Sequence, residues 1–386
     1  MHKYPITGIA VRNGLGVDVR AVGLALHQNV HGLKRPSVNL PFDTWVGELD
    51  PCDLLPPCLR AYDSQLTRLA ASVFDDIAAS VHGAIKKYGA DRVGIVLGTS
   101  TAGMPQSEEA YAHVCKYGDL LQDFSVWTHH AYHGLIDVIA AISGARGPAY
   151  VVSTACTSSA KVFGSAERMM KSGSVDAVLV GGADVLCRMT MLGFHSLGIL
   201  SETRCRPFCA ERDGINIGEG AAFLLLECEG EGRAYYASIG ETSDAYHMSS
   251  PHPEGRGAIA ALHMALDRAG IAAEDVDCIS AHGTGTPLND QSEAIAIRNI
   301  WPKNIPVVAT KALTGHLLGA AAANEAVLAI LGMEQSVFPG MACADVVLDP
   351  ALGLDVVRHT ISKNHCNVVS NSFAFGGSNA VIVLTL

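Results

Sequence analysis

The sequence predicts a layered α/β fold, and three observations carry that prediction. Short β-branched runs ending in Gly or Ser alternate with segments whose apolar residues recur every three to four positions. The composition is 49% hydrophobic and only 17% charged, with 39 glycines, which fits strands buried on both faces and joined by tight turns. No Pro/Gly/Ser-rich linker or low-complexity stretch interrupts the 386 residues, so the chain reads as two ordinary domains or one large, intimately packed unit.

The elements follow in order. Leu66, Leu69, Val73, Ile77, Val81 and Ile85 step by three and four and predict a helix. Residues 92–100, "RVGIVLGTS", read as a buried strand. Val151 and Val152 end the next one, and residues 161–170 read as a helix with Val162, Ala166 and Met169 or Met170 on one face. Residues 176–183, 276–283, 305–311 and 366–373 are further strands, with helical patterns in "GAIAALHMALDRAG" and "GHLLGAAAANEAVLAIL". Strand, small-residue turn and helix recur in both halves, which hints at a duplicated unit.

Composition also excludes classes. Net charge is 27 − 38 = −11 with no basic block, which argues against nucleic acid as a partner. The start, "MHKYPITGIAVRNGLG", lacks a basic segment leading into an apolar one, and no 18-residue apolar run occurs, so a cytoplasmic protein without a membrane span is expected. The 11 cysteines are odd in number and follow no framework spacing, as in a reducing compartment. Cys205 and Cys209 have no second Cys or His pair nearby, so no metal is implied.

Within "VVSTACTSSAKVFGSAERMM", Cys156 falls at a strand-to-helix turn. Unpaired N–H groups at a helix start favour a thiolate, so a lowered thiol pKa and a nucleophile are expected there. A buried free cysteine is more often a small hydrophobe, and other segments must decide. "SAHGTGTPLND" puts His282 directly after a strand, with Thr284 and Thr286 in its glycine-rich turn. "TKALTGHLLGAA" carries Lys311 and His316, and "NSFAFGGSNA" sets Phe375, Gly376 and Gly377 between two terminal strands.

These turns, with "RDGINIGEGAAFLLLE" and "SDAYHMSSPHPEG", resemble in order and spacing the elongating, Cys-His-His class of β-ketoacyl-[acyl-carrier-protein] synthases of the thiolase superfamily. The resemblance covers nearly the whole chain. It implies a thiolase-like five-layered α-β-α-β-α sandwich of two duplicated halves, 1–230 with the nucleophile and 231–386 with both histidines. It implies decarboxylative Claisen condensation of malonyl-carrier with a Cys156-bound acyl chain. His282 and His316 would stabilise the enolate, and Lys311 and Glu325 would be a supporting pair. The backbone N–H groups of Cys156 and Phe375 would form the oxyanion hole. Thr284 and Thr286 would bind the pantetheine arm, and Phe373, Ala374, Phe375, Gly376 and Gly377 would be the gating loop. No cofactor of its own is implied, since substrates ride on the 4'-phosphopantetheine of acyl carrier protein. The dimer would be a homodimer, or a heterodimer with a chain-length-factor-like paralogue.

Neighbouring readings fail on residues. A degradative thiolase needs a second cysteine where this chain reads "FAFGGSN". The initiating class has Asn at the position of His316, a chain-length factor lacks the Cys156 nucleophile, and a serine hydrolase needs a Gly-x-Ser-x-Gly that is absent. A non-catalytic partner or scaffold subunit is the alternative of another class. Ala374 replaces the usual glycine of the gate, which predicts a stiffer loop. "FSVWTHHAYHGL" predicts that Trp127, His130 and His133 line an acyl pocket, joined by Phe194, or else that the segment's side chains face the dimer contact or solvent. Docking of an acidic carrier is expected to use Arg60, Arg68, Arg204 and Arg206. With "AIKKYGADRVGIVLGTSTAGM" and "VLCRMTMLGFHSLGILS", these features resemble the synthases of aryl-polyene pigment clusters in Gram-negative bacteria, with a general fatty-acid elongating synthase as the alternative.

Overall fold

One strand pattern occurs twice and is joined edge to edge. The computed structural model describes residues 3–342 and 346–386; of the cysteines, Cys343 lies outside the described residues. The first half supplies β1 (Tyr4–Arg12), β2 (Val93–Gly98), β3 (Ala149–Val152), β4 (Ala177–Asp184) and β5 (Gly220–Glu227). The second supplies β6 (Ala234–Ser243), β7 (Cys278–Ser280), β8 (Pro306–Val308), β9 (Asp355–Val356), β10 (Asn367–Ala374) and β11 (Ser378–Thr385). The sheet order is β9-β8-β7-β10-β11-β6-β1-β5-β4-β2-β3. Outward from the centre, β1/β5 and β5/β4 are antiparallel, then β4/β2 and β2/β3 parallel. The other side repeats this: β6/β11 and β11/β10 are antiparallel, then β10/β7 and β7/β8 parallel. The halves meet where Tyr4–Ile6 pairs antiparallel with Ala234–Tyr236.

Helices complete five layers. On the outside of the first half, α1 (Gln65–Tyr88) buries Leu66, Leu69, Val73, Ile77 and Val81 against β1, β4 and β5, and α2 (His133–Ser143) packs on α1, β3 and β2. A capping box between Ser64 and Thr67 starts α1, and Gly89 follows its end. Between the two halves of the sheet lie α3 (Ser158–Lys171) and α7 (Ala321–Gln335), each touching strands of both halves. That position explains why the Ala-rich α7 is apolar almost all round: it has scarcely any solvent face. On the far side, α5 (Arg256–Ala269) and α6 (Pro287–Ile300) pack together, with α5 against β6 and β11. A short helix, α4 (Arg188–Ser196), follows β4. No helix among the described residues is long and apolar enough to cross a membrane.

Several boundaries differ from the sequence reading, and the strand expected over 276–283 is confined to Cys278–Ser280. The helix after Cys156 starts at Ser158, where Thr157 O already accepts from Ala160 N and Lys161 N. The strand expected over 305–311 ends at Val308, and Lys311–Thr314 is a single helical turn. "GHLLG" is not the start of α7; it is a loop and a 3-10 turn, Leu318–Ala320.

Candidate active site

Cys156 stands between β3 and α3 on a turn stitched by its neighbours. Thr154 N–H donates to Ser158 Oγ (2.9 Å), Ser158 Oγ donates to Ala155 O (2.6 Å), and Thr157 Oγ1 donates to Thr154 O (2.8 Å). Ala155 holds φ 52°, the left-handed region that a residue with a Cβ rarely enters. The turn seats closely on β2: a Cβ at Gly98 would lie 2.5 Å from Ser159 N. In "TACTSS" the hydroxyls close the turn, and the Ser159 backbone sits against Gly98.

The histidine turns arrive from the other half. His316 Nε2 is 3.1 Å from Cys156 Sγ, and one ligating atom from each of Cys156, His282 and His316 lies within 4.8 Å of the others. Lys311 Nζ donates to His282 Nδ1 (3.3 Å), and Leu318 N–H donates to His316 Nδ1 (3.2 Å). With each Nδ1 accepting, the ring hydrogen of each neutral imidazole sits on Nε2. A metal would need those Nε2 lone pairs, so the second shell opposes metal ligation here. Burial, then the charge of Lys311, pushes His316 well below the usual imidazole range; for His282 the neighbouring His316 adds to both effects. Both rings are neutral donors at physiological pH. Lys311 pairs with Glu325, both about 2% exposed, and burial pushes the Glu325 carboxyl up to about 7 against the pull of Lys311.

The thiol corrects the sequence reading. Burial pushes Cys156 up to about 11, with Lys311 pulling it down and Asp184 and Glu325 pushing it up. Desolvation outweighs the helix start. Thiolate is scarce at rest and must form in the exchange step.

Carboxylates that the sequence reading left unassigned hold these turns. Glu293 on α6 accepts from His282 N and Gly283 N (both 2.8 Å) and from Asn371 Nδ2 (3.0 Å). One turn earlier, Asp290 accepts from Phe208 N (2.7 Å) and Gly285 N (3.1 Å). Burial raises both, to about 7 and about 6. Asp184, at the end of β4, accepts from Thr99 Oγ1, Ser100 N, Thr101 N and Ala320 N (2.8–3.1 Å), tying the first half to the start of α7. The available signal was their i, i+3 spacing on α6 directly after "AHGTGTPL".

A cavity of about 250 Å³ opens onto the triad. Thr284 and Thr286 line it, their hydroxyls 2.9 Å apart. Phe373, Ala374 and Phe375 also line it; Gly376 and Gly377 turn the β10–β11 hairpin at φ 83° and 73°. Asp244 N donates to Gly377 O (2.7 Å), and Gly376 N donates to Met248 O (2.8 Å). Phe194 faces Phe375 edge-on, with ring centroids 5.9 Å apart.

The structure brings Phe194 to this cavity but not Trp127, His130 or His133. Residues 126–130 form one π-turn lying over α2, with Trp127 73% exposed, His130 Nδ1 2.7 Å from Ser107 Oγ, and Trp127 tilted against His133. The expected docking cations are largely occupied. Arg68 bonds Asp63 through two nitrogens (2.7 and 2.8 Å), Arg60 lies 3.6 Å from Asp63, and Arg206 pairs with Glu211 (3.2 Å). Arg204 makes no ion pair among the described residues.

Residues 68–231 match the family described as "Beta-ketoacyl synthase, N-terminal domain" and residues 233–344 the "Beta-ketoacyl synthase, C-terminal domain". A 3-oxoacyl-[acyl-carrier-protein] synthase 2 of Staphylococcus aureus is 35% identical over 326 residues, 78% of either chain. The ketosynthase ApeO of Xenorhabdus doucetiae, solved with its chain length factor ApeC, is 36% identical with TM-score 0.94, over 100% of this chain and 98% of that one. A type II polyketide ketosynthase, solved with its acyl-carrier protein and bound to the hexaketide, is 25% identical with TM-score 0.90, over 100% and 99%.

Proposed function

The chain belongs to the β-ketoacyl synthase family, and from that premise we propose how its residues perform the condensation and on which chains. The protein is a condensing acyltransferase of carrier-borne acyl groups. Cys156 Sγ attacks the acyl thioester; a C–S bond forms to the sulfur, the carrier's C–S bond breaks, and the proton leaving Cys156 goes to the departing thiol. Exchange therefore needs no net base, which suits a thiol whose pKa is raised. Malonyl-carrier then binds with its thioester oxygen against the Nε2–H groups of His282 and His316. As CO2 leaves, the electron pair of the broken C–C bond becomes the enolate that these two donors stabilise. The enolate carbon attacks the acyl-Cys156 carbonyl, backbone N–H groups of Cys156 and Phe375 meet the oxyanion, and collapse expels the Cys156 sulfur as a thiolate that takes a proton from solvent to restore the thiol. Lys311, held by Glu325, keeps the proton on His282 Nε2. Thr284 and Thr286 bind the pantetheine arm.

The observation carrying this reading is the pair of Nδ1 acceptor contacts, which turns two buried imidazoles into convergent N–H donors beside a cysteine. The halves divide at 230/231, between β5 and β6. The substrate is an aryl-primed conjugated polyene, extended in the cytoplasm by a heterodimer with a chain-length-factor-like paralogue. Support comes from the quoted segments, from the edge-on Phe194 and Phe375 lining the cavity, and from the likeness to a ketosynthase solved with its chain length factor. The likeness to the Staphylococcus enzyme favours general fatty-acid elongation as the second reading. Intact-mass analysis of Cys156, after offering aryl-polyenoyl and saturated acyl carriers side by side, separates the two. Faster acylation and elongation with the polyenoyl carrier is expected, and equal rates overturn the pigment reading.

A further inference from the structure

One wall of the catalytic cavity is held from behind by a segment that the condensation does not use. The loop 35–45 carries Pro36 and Pro41, which supply no backbone donor, and it forms no regular element. It nonetheless runs in step beside α4 and the residues that follow it. Arg188 Nη1 donates to Asn39 O (2.8 Å), the Phe42 ring stacks on the His195 ring with centroids 3.8 Å apart and planes 10° apart, and Thr44 Oγ1 donates to Ser201 O (2.9 Å). Val38, Leu40 and Phe42 share one apolar cluster with Met191, Phe194 and Ile215. The far end of the loop is fixed, since Val46–Gly47 pairs with Ile217–Gly218 and Ile217 in turn bridges to His316.

α4 depends on such support. It buries Met191 and leaves Arg188, Met189, Leu192 and His195 exposed, so little apolar area holds it in place. Cavities border it at both ends. Its last turn gives Phe194 to the catalytic cavity of about 250 Å³, while Cys187, Arg188 and Met191, together with Val38, line a second cavity of about 390 Å³. Resting on the condensing reading above, we propose that Phe42 and His195 are positioning residues for acyl selection: residues 38–46 form a strap that holds α4, and through it Phe194, at the setting that decides which acyl chains reach Cys156. The stack sits one residue from Phe194, closer along the helix than the Arg188 or Thr44 contacts. Without it, α4 has empty volume to move into, and the catalytic cavity widens at the expense of the second one. Long chains feel that change, and short chains do not.

The test reads Cys156 acylation of the full-length protein by intact mass with two donors, butyryl-pantetheine and hexadecanoyl-pantetheine, so that no carrier surface enters. His195→Ala and Phe42→Ala should each raise the ratio of hexadecanoyl to butyryl rates about fivefold, the scale of one aromatic pair. His195→Phe keeps a flat ring on Phe42 and should hold the ratio within about twofold of the unaltered protein. The double variant Phe42→Ala/His195→Ala should match the single ones, because all three remove the same contact. His195 is exposed, so His195→Ala keeps the fold and reads the stack even where Phe42→Ala melts early. Equal slowing of both donors with a lower melting temperature makes the stack purely structural and overturns the strap. A ratio unchanged in His195→Ala, or one that multiplies in the double variant, overturns it as well. Acylation of the unaltered protein by neither donor instead overturns the condensing reading itself.

Discussion

The nucleophile turn and the histidine turns do adjoining jobs, but they are held in opposite ways. Around Cys156 the grip is mostly local: residues 154–158 bond one another through Thr and Ser hydroxyls, and one further bond, from Thr157 Oγ1 to Ser378 Oγ (3.1 Å), reaches the other half. Around His282 the grip is remote, since Glu293 and Asp290 reach the 282–285 segment from α6, and Asn371 on β10 braces Glu293. The electrostatics diverge as well. Burial raises the thiol and lowers the imidazoles, so each group rests in its neutral form. A local turn loses little when one of several neutral hydroxyl bonds is removed, whereas a buried carboxylate holding two adjacent amides leaves both donors unpaired when it is altered.

The contrast can be broken most severely at the sulfur. Cys156→Ala should reduce condensation by at least about a thousandfold, because no acyl-enzyme forms, while leaving thermal stability nearly unchanged. Retained elongation by that variant, measured by product mass, would end the assignment. Next in size, His282→Ala or His316→Ala should still take an acyl group on Cys156 yet lose about a hundredfold or more of CO2 release from malonyl-carrier, since one enolate donor is gone. Normal CO2 release from either would show that the imidazoles do something else.

Two smaller effects sharpen the comparison. Glu293→Gln should cost about 1–3 kcal/mol of stability and slow decarboxylation more than acylation, while Thr157→Ala should cost about 1 kcal/mol or less and slow both alike. Thermal melts and the two partial rates measure this, and reversed rankings would refute the distinction between local and remote grip. The smallest effect concerns pH. Because burial pushes the thiol up to about 11, thiolate rises with pH, and Cys156 alkylation by iodoacetamide should keep climbing from about pH 7 to 10. A plateau near neutrality, read by peptide mapping, would mean that the helix start wins over burial.

What the sequence made legible followed from covalent neighbourhood. Strands 93–98, 177–184 and 367–374 and helix 65–88 were readable because their apolar spacing is set by the layers they fill. Cys156, His282, Lys311 and His316 were readable because each sits in a short turn whose small residues are themselves a signature. Glu293 escaped because its partners, His282 N and Asn371, are 11 and 78 positions away, and its i, i+3 pairing with Asp290 does not by itself name what the two carboxylates hold. Trp127, His130 and His133 were misplaced because which way a bulky run faces depends on how 126–130 turns over α2. The thiol pKa was misjudged because a helix start is visible in sequence and desolvation is not.

Gly98 and Gly319 extend this to change over time. A Cβ at Gly98 meets Ser159 N at 2.5 Å, and one at Gly319 meets Ser100 N at 2.6 Å, so at both positions even a single methyl collides with backbone. The frame around Asp184, α3 and α7 is thereby closed to gradual revision. Phe194, Ile199 and Leu288 border open cavity and can be exchanged one at a time. Such a molecule diversifies by altering what it accepts while the apparatus that makes the carbon–carbon bond stays fixed, and descendants of one frame can come to build very different chains.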